Sequence, residues 1–284
     1  STAIITRTPT SVLFLLPWGG KWLVGTTDTP WESEELADPR ATEDDIDYLL
    51  EQANRWLARP IRRSDVLASY AGLRPLLMAG DGDDPTATLS REHAVFRPAP
   101  GLVAIAGGKY TTYRVMAVDA VDAAVEDLVA AGNGGGDAIP ESSTADIPLV
   151  GATDFAEVWA HRSALAESSG IPLPLMERLL RRCGTRISEV LDCIAADPAM
   201  AAPLVPDEPY LRAEVLVAVR FQGARGLSDV LVRRLRLTAE VTDRGRAAAE
   251  AALPIIATEL GWDEARAAAE LAAFDAESAE HVSV

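Results

Sequence analysis

The chain has 284 residues, of which 48% are hydrophobic and 24% are charged, and its formal net charge is −17. This length suggests two domains, and the composition is typical of a folded protein. The negative charge is spread over both halves of the chain and argues against nucleic acid as a partner and against anionic lipid surfaces. Two cysteines and three histidines predict neither a disulfide framework nor a metal site, and this low cysteine content fits a reducing cytoplasm.

The first part of the chain alternates between strand and helix patterns. Apolar runs at residues 11–17 and 21–25 flank a Gly-Gly pair and predict a β-hairpin. Residues 1–6 have a pattern typical of the middle of a strand. We therefore expect the chain to be a fragment. The sequence Thr42-Glu-Asp-Asp45 predicts the start of a helix, because a capping hydroxyl precedes acidic residues of a first turn. Pro60 is expected to end this helix.

Two further strands and a helix are predicted before the middle of the chain. A strand entering a turn is expected over residues 65–77, and a short buried strand over 102–106. The second strand ends at two glycines, after which residues 113–129 have a strongly helical composition. Residues 1–130 therefore predict an α+β fold that combines an antiparallel sheet with helices.

The second half of the chain predicts a separate, all-α domain. Residues 131–148 are rich in glycine, proline and serine, which is typical of a linker. Residues 149–284 contain no convincing strand pattern. The helical periodicity there covers residues 155–168, 174–183, 187–195, 210–223, 227–235, 242–260 and 263–280.

One motif stands out as a candidate binding site. The strand at 102–106 runs into Gly107-Gly108-Lys109 and then into a helix. Backbone N–H groups at a helix start lack partners within the helix, and glycines let a ligand approach the backbone. Lys109 adds a positive charge, and Thr111 adds a hydroxyl. The alternative is a purely structural turn.

Two arginines follow turn-like segments and are candidates for binding an anion. Arg74 lies in Tyr70-Ala-Gly-Leu-Arg-Pro-Leu76, where glycine and proline restrict the backbone, and Arg91 lies in Leu89-Ser-Arg91. A fixed guanidinium suits bidentate binding of phosphate or carboxylate. A surface salt bridge is the alternative for each arginine. His93, two residues after Arg91, is interpreted as a structural or solvated histidine, with a general base as the alternative.

Several of these stretches together resemble the C-terminal portion of the FAD-dependent, quinone-linked glycerol-3-phosphate dehydrogenases. The resemblance covers nearly the whole chain. It is carried by Phe14-Leu-Leu-Pro-Trp-Gly19, Val24-Gly-Thr-Thr-Asp-Thr29, the segments around Arg74 and Arg91, Ala106-Gly-Gly-Lys-Tyr-Thr-Thr-Tyr-Arg114, and, in the helical half, Leu227-Ser-Asp-Val-Leu-Val-Arg-Arg-Leu-Arg236 and Leu260-Gly-Trp-Asp263.

The resemblance implies a site and a reaction. Gly107, Gly108, Lys109, Tyr110 and Thr111 would lie against the flavin of FAD. Arg74 and Arg91, with Lys109, would act on sn-glycerol 3-phosphate, which the intact enzyme oxidises to dihydroxyacetone phosphate while electrons pass to a quinone. The intact enzyme is expected in the cytoplasm or peripherally on the cytoplasmic face of the membrane, and a homodimer is one expected assembly.

The sequence also departs from the family pattern. It contains no Gly-x-Gly-x-x-Gly turn, which in this family holds the pyrophosphate of FAD. We therefore expect the chain alone neither to retain FAD nor to be active. Two other functions stay open: a glycerophosphate oxidase that uses oxygen, and a non-catalytic helical module for binding or dimerisation.

Overall fold

A computed structural model of the chain describes residues 2–9, 11–31, 33–34, 36–37, 39–74, 76, 92–132 and 139–280. The chain divides into two compact units, each built from separate stretches of sequence. The first unit comprises Ser1–Thr26, Arg40–Tyr70 and Leu149–Val284, and the second comprises Thr27–Pro39 and Ala71–Pro148. The division into residues 1–130, 131–148 and 149–284 stays a prediction.

The first unit contains a three-stranded antiparallel sheet. Its strands are, in order, β1 (Ile4–Arg7), β2 (Val12–Trp18) and β3 (Lys21–Gly25). Strands β2 and β3 form the predicted hairpin, in which Trp18 pairs with Lys21 on either side of the Gly-Gly turn. Strand β1 confirms a strand near the start of the chain, but it begins at Ile4, and residues 2–3 lie outside it.

Helix α1 (Glu43–Asn54) covers one face of this sheet. Side chains alternate between the two faces of a strand, so Leu13 and Leu15 of β2 are both buried on the helix side. The predicted start of α1 is confirmed by its cap. The Thr42 hydroxyl accepts from the Asp45 N–H at 3.1 Å, and the Asp45 carboxylate accepts from the Thr42 N–H at 3.2 Å.

From Leu149 onward the described residues are helical, as predicted, and pair as strands only in an isolated bridge between Pro203 and Leu211. The predicted helix over 155–168 is interrupted at His161, and that over 227–235 is largely a π-helix. None of the described helices combines the length and the apolar character that a bilayer-spanning helix needs. The helices are α3 (Phe155–Ala160), α4 (Arg162–Ser169), α5 (Leu173–Cys183), α6 (Ile187–Ala196), α7 (Arg212–Phe221), the π-helix Asp229–Arg234, α8 (Arg246–Leu260) and α9 (Glu264–Glu280).

Apolar side chains of these helices form two buried clusters. One cluster includes Met176 and Leu179 of α5 with Val190 of α6, and the other includes Ile256 of α8 and Phe274 of α9. Residues three or four positions apart share one face of a helix. The helical periodicity of the sequence therefore corresponds to faces that are buried in these clusters.

A buried carboxylate joins α5 to α7. Glu214 is 3% exposed, and both of its carboxylate oxygens accept from Arg178 Nη1 at 3.0 Å. It also accepts from the Leu211 N–H at 2.9 Å, and Arg182 Nε lies 3.6 Å away. A buried charge is tolerated when it is paired and hydrogen-bonded, so these partners make the burial of Glu214 possible.

The second unit is built on an antiparallel hairpin and a helix. Strand β4 (His93–Ala99) pairs with β5 (Leu102–Gly107), and both contact helix α2 (Tyr113–Ala130). Strand β5 and helix α2 confirm the predicted elements, but the expected burial of β5 is wrong, because Leu102 is 52% exposed and Ile105 is 37% exposed. Strand β4 was not predicted, because Arg97 and Pro98 interrupt its apolar pattern.

The prediction of a strand over residues 65–77 is wrong for the part of this range that the structure describes. Arg63–Asp65 form a 3-10 helix, and residues 66–74 form no β ladder. A strand is stable only with a partner strand, and this segment has none among the described residues. Of the predicted linker, residues 133–138 lie outside the described residues, and residues 139–148 are exposed and contain neither helix nor strand.

Candidate functional site

The Gly107–Gly108 turn joins β5 to helix α2. The two glycines have φ angles of 78° and 82°, in the left-handed region that other residues rarely adopt. A Cβ atom at Gly108 would lie 2.5 Å from Sδ of Met116 on α2. The backbone conformation therefore favours glycine at position 108, and a larger residue there would also displace the Met116 side chain.

Two backbone N–H groups are available in the 3-10 helix Tyr110–Thr112, which directly precedes α2. The Thr112 hydroxyl accepts from the Lys109 N–H at 3.3 Å and donates to the Lys109 C=O at 3.0 Å. In the described part of the chain, no acceptor is bonded to the N–H groups of Tyr110 and Thr111. Donors in the first turn of a helix have no partner within the helix, so both can serve a ligand.

Lys109 adds a full positive charge next to these donors. Its side chain is exposed, and the described ranges supply no ion-pair partner for it. Tyr110 beside it is 91% exposed. An ammonium group and free N–H groups both stabilise negative charge. The turn can therefore bind an anionic or electron-rich group.

His93 lies beside this turn and is already hydrogen-bonded. It pairs with Gly107 across the hairpin, and its Nε2 lies 2.7 Å from Oδ2 of Asp119 on α2. The His93 side chain is only 19% exposed. This contact joins β4 to α2. A carboxylate partner fits both a structural histidine and a general base that Asp119 orients, so the role of His93 stays a prediction.

Arg74 forms a salt bridge, which is the alternative stated for it above, with a partner that the sequence did not identify. Its Nη1 donates to the Asp28 carboxylate, and the two side chains are 42% and 18% exposed, respectively. Asp28 lies three residues after β3, in the Gly-Thr-Thr-Asp motif. A carboxylate this close to the end of a strand was the sequence feature that could have indicated a partner for an arginine. A guanidinium has five N–H donors, so Arg74 retains donors for a ligand.

The structure brings part of the predicted site into one unit. Arg74, Asp28 and Lys109 all belong to the unit formed by Thr27–Pro39 and Ala71–Pro148. Arg91 lies outside the described residues. The assignment of substrate residues and of flavin-binding residues stays a prediction.

Two family models match the chain. Residues 1–114 match "FAD dependent oxidoreductase", and residues 142–267 match "C-terminal domain of alpha-glycerophosphate oxidase". Glycerol-3-phosphate dehydrogenase 2 of Mycobacterium tuberculosis (strain H37Rv) is 44% identical over 263 residues, which are 93% of this chain and 43% of that protein. Glycerol-3-phosphate dehydrogenase of Mycobacterium leprae is 43% identical over 274 residues, which are 96% of this chain and 45% of that protein.

The chain belongs to the family of FAD-dependent glycerol-3-phosphate dehydrogenases. The resemblance carried by the sequence motifs is thereby confirmed. The chain spans less than half the length of these two relatives. The X-ray structure of glycerol-3-phosphate dehydrogenase from Bacillus halodurans, complexed with FAD, matches with a TM-score of 0.78 and 27% identity over 97% of this chain and 53% of that chain.

The residues of the Gly107–Gly108 turn fit the cofactor of this glycerol-3-phosphate dehydrogenase family. An isoalloxazine ring carries carbonyl oxygens and, when reduced, negative charge. The unbonded N–H groups of Tyr110 and Thr111 and the exposed ammonium of Lys109 have the complementary sign. These three residues would hold the flavin.

Proposed function

We propose that this chain provides substrate-binding residues and one wall of the flavin site of an enzyme that oxidises sn-glycerol 3-phosphate to dihydroxyacetone phosphate. The observation that carries the proposal is the turn at residues 107–111, in the same unit as Arg74. It has two N–H donors without an acceptor among the described residues, and an exposed Lys109. FAD, when bound, supplies the acceptor for the hydride that leaves the secondary alcohol.

The residues of this chain then act through charge and orientation. Arg74, together with Arg91, binds the phosphate group, because a guanidinium donates two parallel N–H bonds to phosphate oxygens. Lys109 and the N–H groups of the turn would stabilise the negative charge that the cofactor gains when it accepts the hydride. Arg74 and Arg91 orient the substrate for this transfer.

The electron acceptor is the part of the proposal that rests on resemblance alone. We propose a quinone, which takes up two electrons at a membrane, so that the complete enzyme works peripherally on the cytoplasmic face. The second candidate is a glycerophosphate oxidase that passes the electrons to oxygen. The description of the family model that matches residues 142–267 names such an oxidase and supports this candidate.

We also propose that residues 1–284 alone are inactive. The sequence has no Gly-x-Gly-x-x-Gly turn, and the part of the relatives that this chain does not span is more than half of their length. The purified chain should be colourless and should not reduce a dye with glycerol 3-phosphate. A yellow, active preparation of residues 1–284 would contradict this proposal.

The test of the main proposal is an activity assay on the full-length protein. Glycerol 3-phosphate should reduce a dye acceptor and yield dihydroxyacetone phosphate. Lys109→Ala should lower kcat/KM by about 100-fold or more, since removing a donor to developing charge typically has an effect of this size. The control is Lys21→Ala, because Lys21 is the only other lysine and lies on β3.

Two results would contradict the proposal or redirect it. Equal activities of the Lys109→Ala and Lys21→Ala variants would overturn the role of the turn. Oxygen consumption with formation of hydrogen peroxide, at a rate matching product formation, would favour the oxidase over the quinone-linked dehydrogenase.

A further inference from the structure

We infer that Asp28 is a positioning residue that orients Arg74 toward the phosphate of the substrate. The inference rests on the proposed function, in which Arg74 binds that phosphate. Its observation is the ion pair between Arg74 Nη1 and the Asp28 carboxylate, which links residues far apart in the sequence. Asp28 is the more buried partner, at 18% exposure against 42% for Arg74.

Arg74 needs a side-chain partner because its backbone provides little support. Residues 66–74 form neither helix nor strand, and an arginine side chain has many rotamers when it is not held. The Asp28 carboxylate holds one end of the guanidinium at Nη1. Within the part of the chain that the structure describes, Nε and Nη2 have no acceptor and can form the bidentate pairing of arginine with phosphate.

The comparison with Arg97 in the same unit shows what a structural arginine looks like in this chain. The Nε of Arg97 donates to Asp127 at 2.7 Å, and its Nη2 donates to both the Ala123 carbonyl and Glu126 at 3.1 Å. Its exposure of 43% matches that of Arg74. Arg97 thus directs Nε and Nη2 to the protein, whereas the bond from Arg74 to Asp28 uses only Nη1.

Two effects of Asp28 on phosphate binding have opposite signs. A carboxylate next to Arg74 repels a phosphate dianion, so its removal would strengthen binding if charge alone mattered. If Asp28 orients the guanidinium, its removal weakens binding, because a misplaced donor cannot form the paired bonds. The direction of the change in KM therefore decides between a positioning residue and a nearby negative charge.

The experiment is a double-mutant cycle in the full-length protein, with KM and kcat for glycerol 3-phosphate and the dissociation constant from calorimetry of the oxidised enzyme. Asp28→Asn should raise both KM and the dissociation constant about tenfold and change kcat by less than about threefold. In an Arg74→Ala background the same substitution should have no further effect, because it acts through Arg74. Asp28→Glu, which keeps the charge, should restore KM to within about threefold of the parent enzyme.

The matched control is Asp127→Asn, which removes the carboxylate that accepts from Nε of the equally exposed Arg97 and should leave KM unchanged. An unchanged or lowered KM for Asp28→Asn would overturn the inference, as would an additional loss in the Arg74→Ala background. If Arg74→Ala itself leaves KM unchanged, the proposed role of Arg74 fails. That result is separate from a failure of Asp28 alone.

Discussion

The substitution Gly184→Ala tests how closely two backbone segments pack in the helical part of the first unit. Gly184 follows α5 with φ 60° and ψ −139°, a conformation that is essentially restricted to glycine. A Cβ atom there would lie 2.0 Å from the carbonyl oxygen of Gly151, whereas ordinary contacts are 3.4–4 Å. This oxygen cannot move freely, because it accepts from the Thr185 N–H at 2.9 Å.

The expected loss of stability is the sum of two parts. The backbone conformation contributes about 1–3 kcal/mol for a residue other than glycine. Moving the Gly151 carbonyl by more than 1 Å breaks its bond to Thr185, which contributes about 1–3 kcal/mol when a polar group is left without a partner. We therefore expect Gly184→Ala to lower the free energy of unfolding by about 2–6 kcal/mol.

The assay is denaturant unfolding followed by circular dichroism at 222 nm, with Gly170→Ala as the control. Gly170 also has a positive φ, 70°, but no atom lies within 4 Å of a Cβ built there. We expect about 1–2 kcal/mol for this control, from the backbone conformation alone. Equal losses for the two variants would refute the reasoning, because the contact with Gly151 would then contribute nothing.

Three further predictions concern Glu214, which is buried, and Cys183, which is partly buried, in the same unit. Glu214→Ala leaves Arg178 without its carboxylate partner and should lower the free energy of unfolding by about 3–5 kcal/mol, measured by the same assay. A loss below about 1 kcal/mol would contradict the stabilising ion pair between Glu214 and Arg178. Burial raises the pKa of the Cys183 thiol from 9.0 to about 11, so alkylation by iodoacetamide at pH 8.5 should be slower than for a free cysteine. Because the pKa is raised in the folded state, the contribution of Cys183 to stability is present below pH 9 and lost as the pH rises through 11. The unfolding free energy of Cys183→Ala should therefore fall less between pH 8 and pH 11 than that of the parent chain, and an equal fall would count against the buried thiol.

The candidate site was predictable where the chemistry lies in consecutive residues. Gly107, Gly108 and Lys109 follow an apolar strand and precede a helix, and this local pattern is sufficient to predict a turn with free N–H donors. The partner of Arg74 was not predictable in the same way. Asp28 lies 46 positions away in the sequence, and no local pattern pairs one carboxylate with one of 24 arginines.

The amino-acid sequence by itself determined the hairpin of β2 and β3, the cap of α1, the helical second half and the family. Each of these depends on the spacing of nearby residues or on the order of short motifs. Only the tertiary structure decided that His93 bonds to Asp119, that Asp28 holds Arg74, and that residues 66–74 form no strand. These features depend on contacts between distant segments, and such contacts form only when the chain packs, because hydrogen bonds and ion pairs act over a few ångströms in space, whatever the separation along the chain.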